Sequence, residues 1–334
     1  MDMFKANKQL KKLNNKGEIN MKKLFKGLSA LTLVGLLAAG STVSVFAQDE
    51  EAKFDGEKVS VGVASDYEAD VWEVVVEQAA EEGIEVEIVL FTDYVQPNIS
   101  LQDGSTDLNA FQHIAFLNSW NEENDGDLTP LGFTYVAPLR AYSDKIESLD
   151  DLQDGDKVAI PNDPTNGGRA LLALEQAGVI EVDDAAGILP TVDDITANDK
   201  NLEFEELEAA QLAQVLPDVA AAFINNNFAL DAGLSVDDAI FSDGDDIESL
   251  AADYKNVIAT RGADVDNELY AHIVALYQSE TVADKLAEVS NGADLPAWSE
   301  NDEYPLNLEA AEDDSETTEE STEEATDEEA SDEE

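Results

Sequence analysis

Polar and apolar positions alternate along Lys58–Val63 (KVSVGV), and that period of two predicts a strand with one face buried. Further on the period lengthens. Val71, Trp72, Val75 and Ala79 fall on one stripe and predict a helix over Ala69–Glu82, closed by Gly83. Glu85–Phe91 (EVEIVLF) reads as the next strand, so the three elements form a βαβ unit with a parallel strand pair. The same grammar recurs later. Lys157–Ile160 is a strand, Gly168–Gln176 a helix ended by Gly178, Leu202–Leu207 a strand, Ala209–Leu216 a helix and Val219–Ile224 a buried strand. A polar, turn-rich passage at Tyr142–Asp156 separates the two clusters. Asn256–Thr260 reads as a strand that returns to the first cluster, followed by helices Asn267–Gln278 and Thr281–Ser290. The class is α/β in two lobes, and crossovers of this kind leave a cleft between lobes, a common place for a small ligand.

Charge narrows the function. The 334 residues carry 18 Lys and Arg against 75 Asp and Glu, a formal −57, with no cysteine. A duplex nucleic acid would be repelled, and disulfides, thiolate zinc sites, iron–sulfur clusters and cysteine nucleophiles are excluded. With only His113 and His272, a histidine-rich metal centre is excluded as well. No cofactor or metal site is expected, and no catalytic residue: there is no nucleophile elbow or zincin motif. From Met21 the chain reads as an export signal, with Lys22, Lys23 and Lys26 ahead of the apolar Leu28–Ala39 and a small-x-small site at Val45-Phe46-Ala47. Residues 1–47 are therefore expected to be a leader with an extended basic start, and 48–57 an acidic linker. Lobe I is expected to comprise 58–138 and 253–300, lobe II 139–252, and 301–334 a disordered acidic tail. The last 24 residues hold 14 acids and no base, too few apolar groups to offset their ordering entropy. The body from 48 to 310 still has 59 acids against 10 bases, and its self-repulsion implies a saline medium outside the cell.

Three stretches carry candidate chemistry. In Ala159–Leu172 (AIPNDPTNGGRALL) a strand runs through a proline-punctuated turn into a helix, with Thr165 or Asn166 as expected N-cap and glycines that would admit a ligand to the backbone. Arg169, one of three arginines, sits in the first turn of that expected helix, where the dipole opposes a cation, so it wants a compensating anion. That anion is either a surface carboxylate or, preferred, the carboxylate of a ligand. No P-loop or dinucleotide fingerprint is present. Tyr94, Phe111, His113 and Phe116 could wall an apolar slot, although such spacing by itself reads as ordinary core. Asn225-Asn226-Asn227 after a buried strand reads either as a turn or as polar contacts to a ligand.

In order along the chain, FTDYVQPNISLQDGSTDLNAFQH, VAIPNDPTNGGRALLALEQAGVI, GILPTVDDI, ELEAAQL and AFINNNFALDAGL resemble the methionine-binding lipoproteins of the NlpA family, the receptors of methionine ABC importers, over approximately Val59–Trp298. The resemblance implies a two-lobed periplasmic-binding-protein-like (type II) fold with a central inter-lobe cleft, acting as a monomer. Its ligand is expected to be L-methionine or a similar amino acid, and its partner the importer permease. It assigns Tyr94, Phe111, His113 and Phe116 to the thioether slot and Asn166, Arg169 and Asn225 to the head group, with Arg169 gripping the α-carboxylate as a two-pronged fork. On that reading Arg169→Ala abolishes tight binding and leaves the fold intact. Two departures stand out. Phe116 and Phe228 replace the family's usual Tyr, and Gly40 stands where the lipobox Cys is expected, so a lipid anchor is not supported. Outside this resemblance, an exported enzyme using carboxylates and an acidic cation-binding surface protein remain alternatives.

Overall fold

Residues 53–244, 252–299, 302 and 304–306 are described by the computed structural model. In chain order the main strands are β1 (Lys58–Val63), β2 (Glu85–Leu90), β3 (Leu108–His113), β4 (Leu128–Phe133), β5 (Arg140–Tyr142), β6 (Lys157–Pro161), β7 (Glu203–Leu207), β8 (Ala221–Ile224), β9 (Ala239–Ser242) and β10 (Asn256–Arg261). The α-helices are α1 (Asp66–Glu81), α2 (Gln96–Gln102), α3 (Ile114–Asn124), α4 (Pro164–Gln176), α5 (Asn226–Asp231), α6 (Glu268–Tyr277) and α7 (Glu280–Val289).

Two five-stranded sheets result, ordered β2-β1-β3-β10-β4 and β7-β6-β8-β5-β9. The βαβ units are confirmed by register: β1 runs parallel to β2 from Lys58 opposite Glu85 to Val63 opposite Leu90, and β6 runs parallel to β7 and to β8. As expected, β10 returns to the first sheet, antiparallel to both β3 and β4. The chain crosses to the second sheet between Phe133 and Arg140 and comes back between Ser242 and Asn256. These two passages define two α/β lobes.

Each lobe has its own core. Val71, Trp72, Val75 and Ala79 of α1 pack with Val59, Val61 and Val63 of β1 and with Ile273, Val282 and Leu286 of α6 and α7; Trp72 meets the Tyr277 ring at 5.0 Å. In the other lobe Leu171 and Leu174 of α4 pack with Val158, Ile160, Ala221 and Phe223 of the sheet. Full burial of each large apolar side chain contributes about 1.5–3 kcal/mol, which is why the stripe on α1 fixes its orientation.

Several expectations change. Tyr142, taken as the start of the inter-lobe passage, closes β5 inside the second sheet, and the crossover comes earlier. The expected helix at Ala209–Leu216 is 3-10 over Ala209–Val215. Strand β3 was not anticipated because all six of its residues are buried, leaving no alternation to read. At the ends, Phe54 packs on the first core and Gly56 N–H bonds the Gly83 carbonyl at 2.9 Å, so 53–57 are docked rather than a free linker. Leu306, assigned to the tail, packs against the cluster holding Leu101 and Leu117. The expected leader, the rest of the linker and the tail from 307 lie outside the described residues. Among the described residues no helix is long and apolar enough to cross a membrane.

Candidate functional site

Helix α4 begins four residues earlier than its apolar stripe suggested, and this changes the local chemistry. Its N-cap is Asp163, with Pro164 at the first helical position, where a missing N–H costs nothing. Asp163 Oδ1 accepts from the Asn166 N–H at 2.9 Å and from the Thr165 hydroxyl at 2.9 Å, and Asn166 Nδ2 donates to both carboxylate oxygens. The helix end thus holds an anion from its own chain. The glycines serve packing, not a ligand. A Cβ on Gly167 would lie 2.7 Å from the Pro161 carbonyl, and one on Gly168 would lie 3.1 Å from the Pro190 ring and 3.2 Å from the Ile188 carbonyl.

With the helix starting at Pro164, Arg169 lies beyond the first turn, and the dipole argument for its anion lapses. Its anion is Asp243, 74 residues away, at the end of β9. Nε donates to Oδ2 at 2.5 Å, Nη2 to Oδ1 at 3.2 Å, and Nη2 also to the Ala137 carbonyl at 3.0 Å. The Tyr254 ring lies 4.2 Å from Cζ. The pair is 6% and 8% exposed at its side chains, so the carboxylate is buried rather than a surface group. The two-pronged edge expected to face a ligand is therefore occupied; Nη1 has no partner among the described residues.

A cavity with about 450 Å³ of space between atoms, part of it open to solvent, lies between the lobes. Lobe I provides Tyr94, at the end of the loop after β2, and Phe111, His113 and Phe116 from β3 and the start of α3; lobe II provides Asn166 and Asn225. Six of the seven residues singled out in the sequence line it together; Arg169 is outside the lining and donates to the carbonyl of Ala137, which belongs to it. The aromatic end is a cluster: Tyr94 lies 5.6 Å from Phe111, 5.9 Å from Phe116 and 4.8 Å from Phe228.

The other end is polar. Asn166 Oδ1 accepts from Asn225 Nδ2 at 2.7 Å and from His113 Nε2 at 3.2 Å. His113 caps α3, its Nδ1 accepting from the Phe116 N–H at 3.1 Å, so the proton sits on Nε2. Burial and then the Arg169 charge push its pKa down to about 4, which keeps the imidazole neutral. Asn225 Oδ1 is buried with no hydrogen-bond partner. A buried acceptor left open is costly, and a cationic donor entering the cavity would satisfy it.

Sequence reasoning missed Gln112, Tyr135, Ala137, Pro138, Leu139 and Asn256 in the lining, and the partners Asp243 and Tyr254. It also left the amide triplet undivided. Only Asn225 has an open acceptor. Asn226 accepts from Arg140 Nη1 at 2.9 Å and donates to Asp294 at 2.7 Å; Asn227 accepts from the Tyr94 hydroxyl at 2.6 Å and donates to Glu68 at 3.4 Å. The bonds with Asp294, Tyr94 and Glu68 cross from α5 of lobe II to lobe I, whereas the one from Arg140 stays within lobe II. Glu68 and Asp294 are buried, and desolvation pushes their carboxyls up to about 7 and about 6. No group of three or more His, Cys, Asp or Glu among the described residues is arranged to hold a metal.

The sequence model of the NlpA lipoprotein family matches residues 59–298. The chain is similar to the probable D-methionine-binding lipoprotein MetQ of Vibrio cholerae, 40% identical over 271 residues, covering 81% of this chain and 99% of that one. It is similar to a solved structure of the methionine-binding protein MetQ, with 42% identity, a TM-score of 0.69 and coverage of 73% of this chain and 99% of that one. A nutrient-binding protein from Burkholderia cenocepacia, solved bound to methionine, gives 42% identity and a TM-score of 0.68, covering 72% of this chain and all of that one (100%).

Proposed function

The chain belongs to the NlpA lipoprotein family, and from that premise we propose that it is an extracytoplasmic substrate-binding protein that captures methionine, or a closely related amino acid, between its lobes and delivers it to the permease of an ABC importer. It transports its ligand and does not transform it. The observation that carries this reading is the division of one cavity into a ring of Tyr94, Phe111 and Phe116 and a polar end where the acceptor of Asn225 is open. An unbranched, polarisable thioether packs well against aromatic faces. The ammonium then donates to Asn225 Oδ1, and the α-carboxylate is directed toward Arg169, which reaches the cavity wall through the Ala137 carbonyl.

Sheet membership supports taking 58–138 with 253–300 as lobe I and 139–252 as lobe II, moving as two bodies about the paired passages. The protein works outside the membrane. Gly40 offers no thiol for a diacylglyceryl group, and the intact mass of the exported protein should match cleavage after Ala47. The functional test is a thermal-shift screen against the twenty amino acids in high salt, followed by calorimetric titration of both methionine enantiomers. Methionine should give the largest upward shift; no shift with either enantiomer would sink the reading.

A further inference from the structure

We propose that Asp243 is a positioning residue that makes the cavity selective for a zwitterion over an anion of the same shape. The inference rests on the methionine reading and deepens it.

The argument begins with donor inventory. A guanidinium has five N–H groups. Asp243 and the Ala137 carbonyl take the Nε proton and both Nη2 protons, leaving the two on Nη1. Asp243 is itself pinned. Its Oδ1 also accepts the Leu139 N–H at 2.8 Å, and its own N–H donates to the Leu139 carbonyl at 3.1 Å. Leu139 lines the cavity, so the carboxylate is tied to the wall that the ligand touches and the Arg169 fork is held in one orientation.

Charge balance follows from the same contacts. Two cations adjoin the lining: Arg169, which buried Asp243 neutralises, and Arg140, which donates to Asn226 and lies near buried Asp294. His113 is neutral there, and Asp163, the helix cap that holds Asn166, adds a further negative charge. A ligand with a carboxylate alone would bring an uncompensated negative charge into a dry site, which is expensive, and would leave Asn225 Oδ1 unsatisfied. A zwitterion brings both charges, and its ammonium satisfies Asn225 Oδ1. Without Asp243, the site would lose one negative charge and would oppose an anion less.

The test uses three probes on the full chain: methionine, its 2-oxo acid 2-oxo-4-(methylthio)butanoate (an anion without the ammonium) and methioninamide (a cation without the carboxylate). Calorimetry should show the wild type binding methionine at least about 30-fold more tightly than either analogue, the scale of losing one charge-assisted hydrogen bond. Asp243→Asn and Asp243→Ser should narrow the gap between methionine and the 2-oxo acid by about tenfold or more and leave the methioninamide gap in place. A merely structural role would weaken all three probes equally, so equal loss overturns the proposal. Equal wild-type affinity for methionine and the 2-oxo acid overturns it without any variant. Unfolding of both variants on melting would assign Asp243 to the scaffold and overturn it too. Absence of methionine binding in the wild type brings down the functional reading and this inference together; methionine binding with an unchanged ratio brings down this inference alone.

Discussion

Arg169 illustrates what a single residue can and cannot announce. Its rarity in so acidic a chain marked it; the dipole reason for a nearby anion lapsed with the earlier helix start, and the anion beside it is Asp243. This alters the expected effect of removing it. Arg169→Ala deletes the donor proposed for the ligand carboxylate and should weaken methionine binding by at least about 30-fold. It also leaves a buried carboxylate unpaired, which costs about 3–5 kcal/mol, so the fold is not spared as the sequence suggested. Adding Asp243→Ala should restore much of the lost stability and none of the binding. Calorimetry and thermal melts of the single and double variants separate the two effects; an undisturbed melting temperature in Arg169→Ala would show that the pair contributes nothing. His113 teaches the complementary lesson: lined up in the sequence as an aromatic wall, it is also a helix cap and a neutral donor to Asn166.

At the scale of elements, the start of α1 shows how helix ends join the lobes. The orphan N–H groups of Asp66 and Tyr67 donate to the Asp231 carboxylate of α5 at 3.1 and 3.0 Å, and that of Glu68 donates to Ser65 Oγ at 3.1 Å. A carboxylate at a helix N-terminus is stabilising, and here it belongs to the opposite lobe. Asp231→Ala should therefore weaken ligand binding about fivefold, mainly through faster release, since a cap is worth about 1 kcal/mol and none of the cavity lining changes. Stopped-flow release rates check this; an unchanged rate would mean that the contact does not hold the closed arrangement. The elements themselves were legible wherever one face is wet. The stripe on α1 and the alternation in β1 were read correctly from periodicity, whereas β3, buried throughout, and the three-residue β5 leave no period to detect.

For the whole molecule, two electrostatic effects are expected. Glu68 and Asp294 lie buried where Asn227 and Asn226 of the other lobe reach them. The folded carboxyl of Glu68 is raised from 4.5 to about 7, so its contribution to stability is fully present below 4.5 and lost as pH rises through about 7. Asp294, raised from 3.8 to about 6, acts in the same sense, and His113, lowered from 6.5 to about 4, acts in the opposite sense between those values. Relative to Glu68→Gln, the wild type should gain stability as pH falls from 7 to 5; melts of both proteins across that range test it, and a constant difference would refute the raised value. The second effect concerns salt. With 10 basic residues against 73 acidic ones beyond position 47, screening should raise the melting temperature between about 0.05 and 2 M sodium chloride, and a flat profile would contradict the saline reading.

The amino-acid order by itself determined the βαβ units, the two-lobed class, the family and six of the seven residues now found around one cavity, because periodic burial and local motifs are written in neighbouring positions. Tertiary structure decided the rest. That Asp243 meets Arg169, that Gly167 and Gly168 make room for Pro161 and Pro190, and that Asn226 and Asn227 bind lobe I while Asn225 keeps an acceptor open all depend on pairs far apart in the chain. A chain with so many carboxylates offers each arginine dozens of possible partners, and only the packing of two sheets about their crossing strands brings one of them within hydrogen-bond reach.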